Sequence, residues 1–471
     1  MIVNPARADH LPREEFLLEV FLTNRCNLDC SYCSSRRMID EPVRRALTFE
    51  QVKRAVDVYA AYRRRPGSRQ ERTIFFTGGE PFLEYDTLRR AVEYIDSLPG
   101  KFRVRIATNA TLLAPERIKF LLDRDVRIFV SLDGCRKAHD RHRTFRGGRG
   151  SFGSIDRALR RIPSSVRGGG NFCVSATFTS ETAKWLPESL DYFRGLGISV
   201  VEICPEAYEV WKPADIARAS AVLAGVARER LHRRFEGGDA GPQFVFSNSS
   251  APDNAKWSLA DYKDTLLHSV SFMYDGYFYP CEAVFGGGLD AKYRIGDTER
   301  GIDRRRAERV YASALARIGK CSGSVGTLLT AGRYYYARNA GLDPADYFEN
   351  ARRVNDAFDS ALGGYLRAQR LHDAVTALPA FGDFAHSPRL AAGREVSALA
   401  LEAAPGSDPA RLRACLDYFL HSPGVRKSLV IRRPGGAAGT ASALALYALS
   451  KSGRLKKKIS VSMEESGVPP S

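Results

Sequence analysis

The chain has 471 residues, of which 44% are hydrophobic and 27% charged, which is the composition of a globular protein with about two to four domains. It has no run of about 18 apolar residues, so we expect no membrane partner. The N-terminal segment lacks the apolar stretch of a secretory signal, so we expect a cytoplasmic protein. The net charge of +17 favours acidic partners. No basic stripe is interleaved with aromatic residues, so nucleic acid is not an expected partner.

Strand-like and helix-like segments alternate along the first 206 residues. Helical periodicity is clear at 47–62 and 83–98. The alternation predicts parallel βαβ units that wind into a sheet or barrel. A polar or glycine-rich cluster follows five of the six strands, and functional residues of such barrels lie at the carboxyl ends of the strands. The predicted strands are residues 16–22, 73–79, 102–109, 126–134, 172–179 and 198–205.

The rest of the chain has a different pattern. A helix is predicted at 213–234, followed by a polar stretch. Residues 269–281 predict a β-hairpin with Asp275-Gly276 at its turn. Residues 301–372 have a largely helical pattern, and residues 373–471 are richer in Ala, Gly, Pro and Ser.

Three of the nine cysteines fall within eight residues, which indicates a metal site rather than a disulfide scaffold. Cys26, Cys30 and Cys33 form a C-x3-C-x2-C pattern. Iron–sulfur clusters are usually held by four thiolates, so three would leave one iron of a four-iron cluster open to a small cosubstrate. The alternative is a Cys3His zinc site with His139 or His142 as the fourth ligand.

The cysteine pattern, with Tyr32 before its last member, resembles the radical S-adenosylmethionine (SAM) family. The sequence from Thr77 to Pro81, TGGEP, resembles that family's second motif, which engages the amino group of SAM. Two glycines, Gly78 and Gly79, permit close backbone approach, and Glu80 supplies a carboxylate for an ammonium group. The resemblance covers residues 16–206 well and 269–305 moderately. It implies an α/β fold with a partial (β/α)6 barrel, a [4Fe-4S] cluster and SAM.

Further SAM-binding residues follow from this resemblance. The SLDG segment, residues 131–134, resembles a family segment whose Ser and Asp contact the ribose and methionine portions of SAM. The HDxxR segment, residues 139–143, resembles one whose arginine pairs with the SAM carboxylate. The alternatives are a surface ion pair for Arg143 and an ordinary core position for Val201. The residues assigned in this way are Thr108, Asn109, Ser131, Asp133, Arg143 and Val201.

Within the family, the chain is similar to the peptide- and protein-modifying branch, which includes the anaerobic sulfatase-maturating enzymes. That branch usually carries a SPASM domain with two further clusters. Only Cys281 and Cys321 fall in the corresponding region, so we expect a SPASM-like hairpin and helical region without auxiliary clusters. The resemblance makes Glu282 a candidate catalytic base, the alternative being a solvated or salt-bridged side chain.

We predict four parts: an N-terminal extension (1–15), the radical SAM core (16–245), the degenerate SPASM-like region (246–365) and an α/β C-terminal domain (366–471). The last part resembles the first half of the barrel without its cysteines, since Gly435 and Glu465 are 30 residues apart, as are Gly78 and Thr108. The alternative is a generic helical cap.

The expected function is that of a radical SAM oxidoreductase that matures a ribosomally made peptide or protein by oxidation or cross-linking. Its expected partners are a precursor peptide or protein and an electron donor of the flavodoxin or ferredoxin type. The alternative is a radical SAM enzyme that acts on a small molecule or RNA. A non-enzymatic scaffold is disfavoured by the intact cysteine triad and Glu80.

Overall fold

The chain divides into two compact units, each described below by itself. The larger comprises Val3–Ala219 and Pro242–Ala357, and the smaller comprises Met1–Ile2, Ser220–Gly241 and Phe358–Ser471. The domain limits at 245 and 365 stay predictions. The computed structural model describes residues 2–3, 15–33, 35–61, 71–206, 209–235, 243–246, 269–280, 291–310, 342–376, 384–391, 394–402, 426–433 and 460–465.

One sheet contains twelve strands in the order β1-β8-β7-β6-β5-β4-β3-β2-β9-β10-β11-β12. Neighbouring strands from β2 to β8 are parallel. The six predicted strands are confirmed as β2 to β7, which gives the expected α/β architecture. The strands are Ile2–Val3 (β1), Glu15–Phe21 (β2), Glu71–Thr77 (β3), Phe102–Thr108 (β4), Arg127–Ser131 (β5), Phe172–Phe178 (β6), Val200–Pro205 (β7), Gln243–Phe246 (β8), Ser269–Phe272 (β9), Tyr277–Tyr279 (β10), Gly296–Asp297 (β11) and Gly301–Ile302 (β12).

Helices connect the parallel strands, as the alternating pattern predicts. No described helix combines the length and the apolar character that a bilayer crossing needs. Residues 304–310 and Pro344–Thr376 are also helical, in agreement with the helical pattern predicted for 301–372. The other helices are Arg36–Ile39 (α1), Phe49–Ala61 (α2), Tyr85–Ser97 (α3), Pro115–Leu122 (α4), Arg136–His142 (α5), Phe152–Arg160 (α6), Ser164–Arg167 (α7), Leu186–Gly195 (α8) and Pro213–Phe235 (α9).

The two faces of the parallel sheet differ in burial. Along β4, Val104 is buried, whereas Arg103 and Arg105 alternate with it and are partly exposed on the other face. Helix α2 packs on the apolar face, where the rings of Tyr59 and Phe102 lie 6.4 Å apart. Parallel strands are usually apolar on both faces. The arginines therefore identify the second face as partly hydrated.

The predicted hairpin is confirmed over its described residues, 269–280, and extends the sheet next to β2. Strand β9 pairs with β2 in parallel, with Leu18 opposite Val270, and β10 returns antiparallel to β9. Gly276 at the turn has φ of +85°, a conformation that glycine adopts at little cost. The hairpin turn packs beside the end of β2 in a buried cluster made of Phe21, Met38, Met273, Tyr274 and Tyr279.

A buried carboxylate holds the hairpin turn together. Asp275 accepts hydrogen bonds from Tyr279 Oη (2.7 Å) and Arg294 Nη2 (3.2 Å), and its side chain is 2% exposed. The Arg294 guanidinium also lies 3.7 Å from the ring centroid of Tyr277. Charged hydrogen bonds in such surroundings contribute more than neutral ones. The turn is therefore anchored by the ion pair between Asp275 and Arg294, a residue that lies outside both strands of the hairpin.

The smaller unit contains a four-stranded sheet of Phe384–Ala391 (β13), Arg394–Glu402 (β14), Arg426–Arg433 (β15) and Ser460–Glu465 (β16). Strand β13 is antiparallel to β14, and β14, β15 and β16 are mutually parallel. This order is the one that the half-barrel repeat predicts. The register differs: Ser428 opposes Ser460, 32 residues on, whereas Phe76 opposes Ile106, 30 residues on. The repeat stays a prediction, and its connecting segments lie outside the described residues.

We expect Asp275→Asn to lower the free energy of unfolding by about 1–3 kcal/mol, because Tyr279 and Arg294 lose a charged acceptor in a buried site. Urea unfolding at pH 7 measures the change. Asp356→Asn is the matched control, since its ion pair with Arg352 is exposed and should contribute less than about 1 kcal/mol. Equal stabilities of the two variants would contradict the anchoring role of Asp275.

Candidate active site at the carboxyl ends of the strands

The cysteine loop, residues 26–33, follows β2 and lies at the carboxyl ends of the strands. Cys26, Cys30 and Cys33 are free thiols, each partly exposed. Burial of the sulfur atoms raises the pKa of Cys26 to about 12 and that of Cys33 to about 11. The thiols are therefore neutral at pH 7 in the protein without metal, and metal ligation would displace their protons.

Backbone hydrogen bonds attach the start of this loop to the TGGEP segment after β3. Gly79 N donates to Thr23 O and Glu80 N donates to Arg25 O, both at 2.8 Å. A Cβ atom on Gly79 would lie 2.0 Å from the Arg25 carbonyl oxygen, and Gly78 has φ of +130°. The glycines permit a close approach, whereas their predicted approach to SAM stays a prediction. The group that approaches them in this structure is the backbone preceding the cysteines.

Glu80 is a buried carboxylate with three donors around it. It accepts hydrogen bonds from Thr108 Oγ1 (2.7 Å), Asn109 N (2.7 Å) and Phe82 N (3.0 Å), and 1% of the residue is exposed. Burial raises the pKa of Glu80 to about 7, although these hydrogen bonds oppose the shift. A positive group placed beside it would favour the ionised form.

Asn109 links Glu80 to the cysteine loop. Its amide Nδ2 donates to Asn27 Oδ1 at 2.8 Å and lies 3.9 Å from Cys26 Sγ. Asn27 in turn donates to Thr111 Oγ1 at 2.7 Å. Asn27 and Thr111 were not among the predicted site residues. Their signal in the sequence is their position, directly after Cys26 and within the TNAT cluster that follows β4.

Asp133 joins three separate segments. Its carboxylate accepts hydrogen bonds from Tyr32 Oη, from Thr177 N (3.0 Å) and from Arg143 Nε (3.0 Å to Oδ2). The Asp133 and Arg143 side chains are 2% and 11% exposed, so this is not a surface ion pair. Although burial alone would lower the pKa of Arg143, the Asp133 carboxylate holds it well above its ordinary value. The Arg143 guanidinium also lies 5.3 Å from the Tyr32 ring centroid.

The two histidines of the zinc alternative have other partners. Both ring nitrogens of each histidine lie within hydrogen-bond distance of protein atoms, and burial lowers the pKa of His139 to about 4. The low pKa keeps the His139 ring neutral, as a zinc ligand would be, but every ring nitrogen of the two histidines has a protein partner instead of a cysteine-bound metal. The partners are Asp133 N and Ser151 for His139, and Ser31 and Thr179 for His142.

The grouping of the three cysteines on one loop bears on the two metal interpretations. Among the described residues, no group of three or more His, Cys, Asp and Glu side chains could hold a single metal ion. Thiolates on one zinc ion lie only about 3.8 Å apart, given a Zn–S distance of about 2.3 Å. In an iron–sulfur cluster each thiolate binds a different iron, which requires a wider triad on one loop. Three cysteines on one loop are the ligand set that such a cluster with one open iron requires.

The remaining predicted residues fall in different places. Ser131 ends β5 on the partly hydrated face, the same face as Glu202 of β7. Val201 is fully buried and alternates with Glu202, so its side chain lies on the opposite, apolar face. This placement favours the core interpretation of Val201. Glu282, Cys281 and Cys321 lie outside the described residues.

Comparisons with known proteins agree with this geometry. Residues 20–203 match the radical SAM superfamily, whose members use a [4Fe-4S] cluster and SAM. The matched segment contains the cysteine loop, Glu80, Asp133 and Arg143, and lies within the parallel strands β2 to β7.

Several curated relatives are similar over part of their length. A GTP 3',8-cyclase of Bradyrhizobium diazoefficiens is 28% identical over 209 residues, which are 43% of this chain and 57% of that protein. A GTP 3',8-cyclase of Acidothermus cellulolyticus is 35% identical over 131 residues, 26% of this chain and 34% of that protein. The AdoMet-dependent heme synthase of Methanosarcina barkeri is 28% identical over 37% of this chain and 46% of its own length. The chain thus spans less than two thirds of these relatives.

Among solved structures, native anSMEcpe, an anaerobic sulfatase-maturating enzyme, with bound AdoMet and Cp18Cys peptide has a similar fold. The TM-score is 0.52 at 16% sequence identity, and the likeness covers 74% of this chain and 98% of that one. The predicted radical SAM fold is confirmed by this likeness.

We expect Gly79→Ala to destabilise the protein by about 1–3 kcal/mol or more, because its Cβ would lie 2.0 Å from a backbone oxygen that cannot move independently. Gly170→Ala is the control, since a Cβ there meets nothing within 4 Å. Thermal and urea unfolding measure both changes. A Gly79→Ala variant as stable as Gly170→Ala would show that the TGGEP segment can move away from the cysteine loop without loss of stability.

The stability of the metal-free protein should depend on Glu80 in a defined direction. Because its folded-state pKa, about 7, exceeds that of an unfolded chain, its contribution is greatest below about pH 4.5 and is lost as the pH rises through 7. Glu80→Gln removes this titration. The stability of the variant relative to wild type should therefore rise by on the order of 2 kcal/mol between pH 5 and 8. A difference that stays constant over this range in urea unfolding would contradict the raised pKa.

Proposed function

Because residues 20–203 form a radical SAM domain, we propose that the chain is a radical SAM oxidoreductase that binds a [4Fe-4S] cluster through Cys26, Cys30 and Cys33 and cleaves SAM reductively. The observation that carries the proposal is that the three thiols share one rim with the buried Glu80 and the Asp133–Arg143 pair. When bound, the cluster supplies the electron that breaks the sulfonium C–S bond of SAM, releasing methionine and a 5'-deoxyadenosyl radical.

The chain's own residues bind and orient SAM. Glu80 is the acceptor for the SAM ammonium group. Thr108 and Asn109 donate hydrogen bonds that hold the Glu80 carboxylate in place. Asp133 fixes the Arg143 guanidinium through Nε, and the guanidinium also hydrogen-bonds the Cys30 side chain. The remaining terminal N–H groups of Arg143 are the proposed donors to the SAM carboxylate. Burial of both charged groups strengthens these contacts and keeps water from competing with them.

For the substrate, we favour a ribosomally made peptide or protein. The fold likeness to the peptide-bound anSMEcpe structure extends over 74% of this chain, well beyond the shared core. The hairpin next to β2 belongs to the region that resembles the SPASM domain of peptide-modifying enzymes. The partly hydrated sheet face, with Arg105 opposite Arg127, suits a polar substrate. Hydrogen abstraction from a side chain or Cα would then lead to oxidation or cross-linking, with Glu282 as the proposed base.

A second candidate is a nucleotide or another small molecule. It is favoured by the sequence similarity to GTP 3',8-cyclases, which covers 26% and 43% of this chain in two of them. The two candidates are separated by incubating the reconstituted protein with SAM, dithionite and either GTP or short peptides encoded beside its gene. Formation of 5'-deoxyadenosine together with a peptide that has lost hydrogen supports the maturase. Conversion of GTP with no change in any peptide would overturn it.

The cleavage step has its own test. Anaerobic reconstitution should give one [4Fe-4S] cluster, and Cys26→Ala, Cys30→Ala and Cys33→Ala should each abolish it, as seen by iron counting and absorbance. Arg143→Lys and Glu80→Gln should weaken SAM binding by on the order of 1.5–3 kcal/mol, because each loses a charge-assisted contact. Calorimetry with SAM measures the affinity.

Arg141→Ala is the control for Arg143, since Arg141 is exposed near the end of α5, two residues before Arg143, and pairs with Glu181. Arg143→Lys keeps a positive charge beside Asp133, which guards against unfolding caused by an uncompensated buried carboxylate. Unchanged SAM affinity in both Arg143→Lys and Glu80→Gln would refute the assigned roles, and a cluster that survives all three cysteine replacements would refute the ligand set.

A further inference from the structure

A tight turn with an Arg-Gly-Gly-Arg sequence, residues 146–149, follows helix α5. Phe145 N donates to Arg149 O (2.8 Å) and Gly148 N donates to Phe145 O (3.0 Å), which closes the turn. Gly147 and Gly148 have φ of +98° and +84°, and a Cβ on either would meet nothing within 4 Å. The tip of the turn therefore projects into open space and presents two arginines.

This Arg-Gly-Gly-Arg turn is attached to the cysteine loop by its backbone. Leu28 forms an isolated β-bridge with Phe145, and Asp29 N donates to Thr144 O at 2.7 Å. Arg146 Nε donates to the carbonyl oxygen of Cys26 at 3.3 Å. The turn thus places a positive charge directly on the loop that carries the proposed cluster ligands.

Several exposed arginines of the chain are neutralised by an acidic neighbour. Arg160, for example, forms an ion pair with Asp156 on its own helix. Arg146 and Arg149 are both exposed, and within the described part of the chain neither contacts a carboxylate. Arg149 lies over the Phe145 ring, 4.6 Å from its centroid. The turn therefore offers two uncompensated charges to an external partner.

The chemistry of the site defines that partner. The inference rests on the proposed function, in which each SAM cleavage consumes one electron delivered from outside the chain. The electron must reach the cysteine loop through a nearby surface, because electron transfer falls off steeply with distance. Weak electron-transfer complexes bury little area and depend on complementary charge for encounter.

We propose that the Arg-Gly-Gly-Arg turn is the docking surface for an acidic one-electron donor protein. The donor binds through its carboxylates to Arg146 and Arg149, gives up one electron to the cluster, and dissociates oxidised. The net charge of +17 favours the same class of partner at long range.

The test compares two reductants in the reconstituted enzyme. Formation of 5'-deoxyadenosine from SAM is followed with dithionite, a small reductant, and with reduced flavodoxin, an acidic one-electron donor. Arg149→Glu is the main variant, because Arg149 has no contact with the cysteine loop. We expect its dithionite-driven rate to equal that of wild type. The flavodoxin concentration for half-maximal rate should rise about threefold to tenfold at low salt, since an exposed charge pair contributes little by itself and the substitution also introduces repulsion.

Salt and a matched variant complete the test. Added salt should narrow the difference between wild type and Arg149→Glu, because it screens exposed charges. Arg161→Glu makes the same charge change at an exposed position directly after α6. Helix α6 leads back towards the start of β6, so Arg161 lies away from the carboxyl ends of the strands. This variant should leave the flavodoxin dependence unchanged.

Three results would overturn the proposal: an unchanged flavodoxin dependence in Arg149→Glu, an equal loss with dithionite, or a loss of peptide modification while flavodoxin-driven SAM cleavage is intact. The second would assign the turn to support of the cysteine loop, and the third to binding of an acidic substrate. Absence of SAM cleavage by wild type with dithionite would instead refute the proposed function.

Discussion

The site depends on one buried carboxylate, that of Asp133. It receives the hydroxyl of Tyr32 from the cysteine loop, the guanidinium of Arg143 from the segment after α5, and the backbone N–H of Thr177 from β6. A buried carboxylate is tolerated only when its oxygens are paired, so these three segments are fixed relative to one another. The position of the cysteines is thereby coupled to that of the residue proposed to bind the SAM carboxylate.

The second fixed element is the junction of the cysteine loop with the TGGEP segment. Parallel pairing of β2 and β3 continues past the strand ends through Gly79 and Glu80, and this brings the backbone so close that Gly79 has no room for a side chain. The sequence predicted this rim, because strand-terminal clusters in βαβ units share one edge. It did not predict Asp133 as the centre of a network, since its partners are up to 101 residues away and no local pattern encodes that distance.

Two other features mark the limits of sequence reasoning. Val201 matched a SAM-binding position by resemblance, but its alternation with Glu202 along β7 turns it to the apolar face. The hairpin was predicted from its turn residues, yet its pairing with β2 was not, because an edge strand's partner is chosen by packing rather than by its own sequence. In this chain that packing includes Met273 and Tyr274 against Phe21, at the entrance to the cysteine loop.

Binding and cleavage of SAM on one side and the choice of substrate on the other are assigned to different parts of the chain. Relatives named as GTP 3',8-cyclases and as a heme synthase are similar to part of this chain, and every described residue proposed here to bind the cluster or SAM lies within residues 20–203. In the proposed function those residues serve the binding and cleavage of SAM. Discrimination among substrates must come from elements that vary between them, such as the hairpin beside β2 and the charged residues on the hydrated face of the sheet. The choice of peptide over nucleotide is thus a question about those elements, and the cysteine triad carries no information on it.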